Sequence, residues 1–265
     1  MTTGQAPLRV AVSGARGKVG REIVTGLQAD PAFACVAATD LGDDLAAALR
    51  ASRAQAMVDF TTPGAGLGNA LTAASIGVAP VIGTTGLGAD GVQRIRDACG
   101  AAGVGGCVIP NFAIGAVLLM WLSALAAPHF ETAEIIEAHN PGKADAPSGT
   151  ALRTAEGMLA ARDGRPFQHA TPHLESLAGT RGGELGGIAV HAVRAAGVVA
   201  DQSVILGTES QTLTLTHRTT SRAVYVPGVL LAVRAVVGSP RFYDSLAEVL
   251  GLPARGMIGS HDPAS

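Results

Sequence analysis

The stretch LRVAVSGARGKVGREIVTGL, Leu8 to Leu27, decides the fold. Leu8, Val10 and Val12 alternate as a short strand does, and that strand ends at Ser13-Gly14. Val19, Ile23, Val24 and Leu27 then recur at helical spacing. Between strand and helix stand Gly14, Gly17 and Gly20, spaced Gly-x-x-Gly-x-x-Gly. Glycine lets a backbone approach a pyrophosphate closely, and the first turn of a helix offers unbonded N–H groups and a positive dipole end. Strand, glycine loop and helix in this order form the Rossmann dinucleotide-binding unit, with the first spacing longer by one residue than the usual GxGxxG. The plainer reading of the same glycines is a tight strand-to-helix turn.

Working outward, Phe33–Thr39 reads as a second strand with Asp40 at its end, where an acidic residue binds an adenosine ribose and favours NADH. Arg16 and Lys18 lie in the glycine loop and suit a 2′-phosphate, which favours NADPH. The two signals point to use of either cofactor, unless these charges are only solvated surface groups. Further strands are expected at Met57–Phe60, Val78–Ile82 and Val104–Ile109, alternating with helices. That alternation means right-handed βαβ units and a parallel sheet. FTTP (Phe60–Pro63), GTTG (Gly83–Gly86) and PNFAIG (Pro110–Gly115) fall at the carboxyl ends of these strands, the edge where open α/β sheets bind ligands. Ordinary βα loops share that composition.

Composition narrows the classes. Hydrophobic residues make up 48 % of the chain and aromatics only 3 %, so the apolar mass is Ala, Val, Leu and Ile, as buried parallel strands require. A net charge of −2 gives no basic field for nucleic acid or an anionic membrane. Cys35, Cys99 and Cys107 have no CxxC spacing and read as reduced thiols of a cytoplasmic protein, with no metal site expected. The opening MTTGQAPLRVAV lacks the pattern of a secretion signal. The longest apolar run, Phe112–Pro128, is shorter than the roughly 20 residues of a membrane span and reads as a buried helix.

Past residue 113 the style changes. A strand at Glu134–Ala138 is followed by a turn-rich loop and a helix over Thr150–Ala161. After a polar connection over Asp163–Gly187 come strands at Ile188–Arg194, Gln202–Leu206 and Gln211–His217 with no helix between them, which suggests a second, mixed sheet. An apolar helix is expected over Tyr225–Val237, and a final helix starting at Ser239-Pro240 as N-cap and N1. The fold class expected is α/β: a Rossmann-type domain over 1–113 with a C-terminal return over 223–265, and a smaller α+β domain over 114–222.

The loop itself reads EAHNPGKADAPSGTAL, Glu137 to Leu152. His139 and Lys143 stand four apart across a turn. A lysine ammonium suits a carboxylate or phosphate, and either residue can act as general acid. Ser148, Gly149 and Thr150 precede a helix and would form an anion pocket at its N-terminus, unless Ser148 or Thr150 merely caps it. A proton donor and an anion grip, with a nicotinamide cofactor, suggest hydride transfer to a small carboxylate-bearing substrate.

At this loop a resemblance becomes specific. GARGKVG, VDFTTP, GTTG, PNFAIG and above all EAHNPGKADAPSGTA resemble the 4-hydroxy-tetrahydrodipicolinate reductase family, also called dihydrodipicolinate reductase, of lysine and diaminopimelate biosynthesis. GGIAVHAVRAAG, VILGTESQTLTLTH and SRAVYVPGVLLAV extend the likeness, in order, over nearly the whole chain. The resemblance implies a homotetramer held by the sheets of the middle domain. It implies NADH or NADPH reduction of a cyclic imine dicarboxylate to tetrahydrodipicolinate. It puts His139 and Lys143 at the general-acid positions. It assigns Asn140, Lys143, Ser148, Gly149, Thr150 and Thr85 to the substrate. It assigns Gly14, Arg16, Gly17, Lys18, Val19, Gly20, Asp40, Phe60, Thr61, Gly83, Thr85, Pro110, Asn111 and Phe112 to the cofactor.

Two positions depart from the family. Asn140 stands where its motif, Glu-x-His-His-x-x-Lys-x-Asp-x-Pro-Ser-Gly-Thr-Ala, has a second His. Asn can donate a hydrogen bond but carries no charge, which would cost a dicarboxylate about 1.5–3 kcal/mol if the family's His is charged. Gln211 stands where the similar segment often has Glu. Asn140 keeps open a reductase of the same fold acting on a related cyclic imine or unsaturated acid. A dinucleotide-binding sensor without catalysis would need neither His139 nor Lys143.

Overall fold

The computed structural model describes residues 6–169 and 174–253. The chain divides into two compact units. One runs to Ile114 and resumes over Arg222–Leu252, and the other holds Gly115–Ser221. The end of the expected C-terminal return, residues 254–265, lies outside the described residues.

The first unit opens with β1 (Leu8–Ser13), α1 (Gly20–Ala29), β2 (Phe33–Thr39) and α2 (Leu45–Ser52). β3 (Ala56–Asp59), α3 (Pro63–Ser75), β4 (Ala79–Ile82), α4 (Gly88–Ala102) and β5 (Gly106–Val108) continue the alternation. The second unit takes most of α5 (Ile114–Ala126), then β6 (Thr132–His139), α6 (Gly149–Ala161), β7 (Gly183–Leu185), β8 (Ile188–Arg194), β9 (Ala200–Thr208) and β10 (Gln211–Thr219). The chain ends its described course in the first unit with α7 (Val226–Gly238), β11 (Phe242–Tyr243) and α8 (Leu246–Val249).

The six strands of the first unit lie in the order β11-β5-β4-β3-β1-β2 and pair in parallel. The strands are short and apolar because both faces are covered. Val10, Val12, Met57, Val58, Val81 and Ile82 are all fully buried. Strand order reverses at β1, whose neighbours are β2 on one side and β3 on the other. The crevice outside the carboxyl ends of β1 and β3 is therefore the topological switch point, and the glycine loop and FTTP meet there.

The expected final helix is corrected. Ser239 and Pro240 lead into β11, where Phe242 and Tyr243 pair with Gly106 and Cys107 of β5. The N-cap of α8 is Ser245, whose hydroxyl accepts the Glu248 N–H at 3.3 Å. α2, β7 and β11 add to the elements expected from periodicity.

The second unit is a five-stranded mixed sheet in the order β10-β9-β6-β8-β7, with only β6 and β8 parallel. Ala133, Ile135, Ile188, Val190, Val204 and Leu206 point from one face onto Ala151, Ala155 and Met158 of α6. The opposite face carries Ile136 and Val193, which stay 36 % and 43 % exposed. No helix among the described residues is long and apolar enough to cross a membrane.

Candidate functional site

The glycine loop is built by close backbone approach. Gly14 has φ +78°, and a Cβ there would lie 2.7 Å from the Phe60 carbonyl oxygen. A Cβ on Gly20 would lie 2.0 Å from the Gly14 carbonyl oxygen, so α1 starts directly against the loop. Val19, the N-cap of α1, supplies no side-chain acceptor. Among the described residues, the N–H groups of Lys18, Val19 and Gly20 donate to no protein acceptor. Free donors at an uncapped helix N-terminus fit the pyrophosphate of a dinucleotide.

Asp40, just past β2, accepts the backbone N–H of Arg16 at 2.8 Å and that of Leu41 at 2.9 Å. Those N–H groups, Leu41 foremost, hold its carboxyl below the ordinary value. The Arg16 guanidinium bridges Asp40 at 3.6 Å and Asp43 at 3.7 Å while staying 68 % exposed. The acidic and basic readings of this corner thus meet in one cluster.

Below the loops lies a node that sequence reading missed. Asp59, at the end of β3, is fully buried. Its carboxylate accepts the Thr61 N–H at 3.1 Å and hydroxyl at 2.8 Å, the Thr84 hydroxyl at 2.6 Å, and the Asn69 amide at 2.8 Å. The Asn69 amide also reaches the Ser13 hydroxyl at 3.2 Å. One carboxylate thereby ties FTTP, GTTG and the end of β1 together. Phe60 packs on Phe112 with ring centroids 5.8 Å apart, and a Cβ on Gly83 would strike the Phe60 ring. The Phe112 side chain is itself 1 % exposed, and Asn111 caps its own turn by accepting the Ala113 N–H at 2.9 Å. Thr84 is buried while its neighbour Thr85 is exposed to solvent, and Pro110, two residues past the end of β5, is exposed as well.

The polar loop of the second unit is organised by Glu137, the second residue that sequence reading gave no role. Its side chain is fully buried. Arg194 of β8 meets it as a fork at 2.9 and 3.0 Å. The Ser148 N–H reaches it at 3.1 Å and His139 Nδ1 at 2.5 Å. Burial pushes the Glu137 carboxyl up, but Arg194 and His139 outweigh it and hold the group below its ordinary value.

Arg194 also donates to the Asp145 carbonyl at 2.7 Å, and the Asp145 carboxylate pairs with Lys143 Nζ at 2.7 Å. Lys143 closes the expected turn by donating its N–H to the Asn140 carbonyl at 3.1 Å, and the Asn140 side chain accepts the Gly142 N–H at 3.1 Å. The Ser148 hydroxyl caps α6 through the Ala151 N–H at 3.1 Å. With the Ser148 N–H spent on Glu137, the N–H groups of Gly149 and Thr150 at this helix start have no acceptor among the described residues. An alternating strand that places Glu at i and His at i+2 on one face was the available signal for Glu137. Arg194, distant in sequence, carried none.

Models of the family described as dihydrodipicolinate reductase match residues 8–112 for its N-terminus and 115–250 for its C-terminus. The 4-hydroxy-tetrahydrodipicolinate reductase of Moorella thermoacetica is 44 % identical over 251 residues, 87 % of this chain and 93 % of that protein. That of Mycobacterium marinum is 44 % identical over 247 residues, 92 % of this chain and 100 % of that protein. Among solved structures, a dipicolinate-bound dihydrodipicolinate reductase from Paenisporosarcina sp. TG-14 superposes with a TM-score of 0.83 at 31 % identity, covering 91 % of this chain and 99 % of that one. An amine dehydrogenase from Mycobacterium smegmatis shares the fold at a TM-score of 0.60 and 13 % identity.

Proposed function

The chain belongs to the dihydrodipicolinate reductase family, and we propose that it reduces 4-hydroxy-tetrahydrodipicolinate to tetrahydrodipicolinate with NADH or NADPH. It is an NAD(P)H-dependent oxidoreductase. The observation that carries the substrate reading is one hydrogen-bonded chain. Through Glu137, Arg194 and Asp145 it joins His139, Lys143 and the start of α6.

The bound nicotinamide supplies the hydride. Gly14, Gly17, Lys18, Val19 and Gly20 hold the pyrophosphate, and Asp40 and Arg16 hold the adenosine ribose or its 2′-phosphate. Phe60, Thr61, Gly83, Thr85, Pro110, Asn111 and Phe112 shape the rest of the cofactor cleft. The free N–H groups of Gly149 and Thr150, with the Thr150 and Ser148 hydroxyls, grip one substrate carboxylate. Lys143 leaves Asp145 for that carboxylate and lowers the cost of bringing a dianion into the site. Hydride and a proton delivered by His139 together replace the substrate's 4-hydroxyl, which leaves as water. Asn140 donates a hydrogen bond through its free amide group.

The test is a coupled assay in which pyruvate and aspartate semialdehyde are condensed by their synthase and loss of NADH and of NADPH is followed separately. Rapid oxidation is expected with both. His139→Gln is expected to lower kcat by about 10²–10⁴-fold. Cofactor binding without oxidation would reject this substrate in favour of another cyclic imine. In that case Asn140→His is expected to gain activity on the lysine intermediate.

We further assign a homotetramer, supported by the exposed Ile136 and Val193 on the uncovered face of the mixed sheet, and sedimentation velocity tests it. A cytoplasmic setting fits three cysteines that form no disulfide.

A further inference from the structure

We infer that Glu137 is a positioning residue for the proton transfer: it fixes the His139 ring with Nδ1–H turned inward, so that the proton given to substrate leaves from Nε2. Arg194 is its counter-ion in this task. The inference rests on the general-acid role proposed for His139.

The geometry leaves the carboxylate no other state. Two donors come from the Arg194 fork, one from the Ser148 backbone and one contact from His139 Nδ1, so every acceptor direction on Glu137 is used. An ionised carboxylate can only accept. The hydrogen at the 2.5 Å contact therefore sits on Nδ1. Neutral His139 then presents Nε2 as an acceptor, and charged His139 presents it as a donor. A Glu–Arg pair with its carboxylate buried is complete by itself as a structural clasp between β6 and β8. The third contact, onto a ring that remains 17 % exposed, is what a clasp does not need.

The charged side chain that shares the Glu137 carboxylate with the ring is Arg194 from β8, and the loop adds Lys143 and Asp145. On β9 the residue paired with Glu137 is the neutral Gln202, and His139 itself pairs with Ala200. Lys143 is matched by Asp145 at 2.7 Å. The carboxylate of Glu137 is thus the one anion bonded directly to the ring, and its loss leaves Arg194 unmatched beside it.

Nitrogen NMR of histidine-labelled enzyme, with His139→Gln assigning the signal, tests the inference without turnover. Above the ring's titration, wild-type His139 is expected as the Nδ1–H tautomer. In Glu137→Gln the Nε2–H tautomer is expected to appear. In the same variant kcat should fall about tenfold or more while KM moves less than about threefold. Arg194→Lys keeps a cation beside Glu137 and is expected to retain the wild-type tautomer. An Nε2–H tautomer in the wild-type protein would overturn the inference, and that measurement stands even if Glu137→Gln does not fold. An unchanged tautomer in a folded Glu137→Gln would overturn it as well. Absence of turnover in the wild type would instead count against the proposed reaction and leave the tautomer to decide this point.

Discussion

Gly20 carries the sharpest steric constraint of the cofactor loop. A methyl group there would sit 2.0 Å from the Gly14 carbonyl oxygen, a backbone atom that cannot swing away. At Gly17 the same methyl would meet that oxygen at 3.1 Å, a distance that a shift of a few tenths of an ångström relieves. Gly20→Ala is therefore expected to weaken NADPH binding by about tenfold or more, roughly 1.4 kcal/mol, and Gly17→Ala by clearly less. Fluorescence titration of bound cofactor measures both, and equal losses would refute the ranking. At this scale the sequence displays residue types but not which neighbour turns inward. The GTTG run offers Thr84 and Thr85 alike. The alternation of the chain past β4 sends Thr84 to the Asp59 carboxylate and Thr85 to solvent. For Glu137 the sequence offered only His139 two residues on, while its Arg194 partner stands on a strand that lies far along the chain.

Elements show where periodicity suffices and where it fails. The strands expected at Phe33–Thr39 and Ile188–Arg194 have those bounds as β2 and β8. β11 has two residues and is defined by its partner β5, not by any pattern of its own. α2, LAAALRAS, is nearly all alanine and leucine, so its buried face stands out little in sequence. Its start is marked by Asp44, which accepts the Ala47 N–H at 2.9 Å. α6 is the element on which the substrate reading turns. Its cap is the Ser148 hydroxyl on the Ala151 N–H. Ser148→Ala is expected to cost about 1 kcal/mol of stability. Ser148→Asp keeps a capping oxygen and should restore that stability. Placed beside the free Gly149 and Thr150 N–H groups, its charge should raise KM, as an anion already occupying the pocket would. Urea unfolding and steady-state kinetics on the pair separate the cap from the anion site. A Ser148→Asp enzyme with unchanged KM would argue against a carboxylate at this helix start.

Across the whole molecule, the groups whose ionisation differs between folded and unfolded chains determine how stability follows pH. Burial lowers the His217 pKa below its ordinary 6.5, only partly offset by Asp201. Between its folded value and about 6.5 the unfolded chain binds more protons, so stability declines as pH falls through that window. Glu137 and Glu134 lie below the ordinary 4.5. Burial raises each, but Arg194 with His139 in one case, and Arg181 with His191 in the other, outweigh it. Their contribution is complete above about 4.5 and is lost as pH falls through the folded values. Urea midpoints are therefore expected to fall gently from neutral pH and steeply below about 4.5.

Arg194→Met reverses the sign for one of these groups. It leaves Glu137 buried without its guanidinium, at a cost of about 3–5 kcal/mol near neutral pH. Burial then dominates, and the carboxyl rises above its ordinary value. The folded variant now binds the extra proton in the window above about 4.5, so the destabilisation should shrink as pH falls from 7 toward about 5. A gap between variant and wild type that stays constant over that range would mean that Glu137 does not depend on Arg194 for its charge.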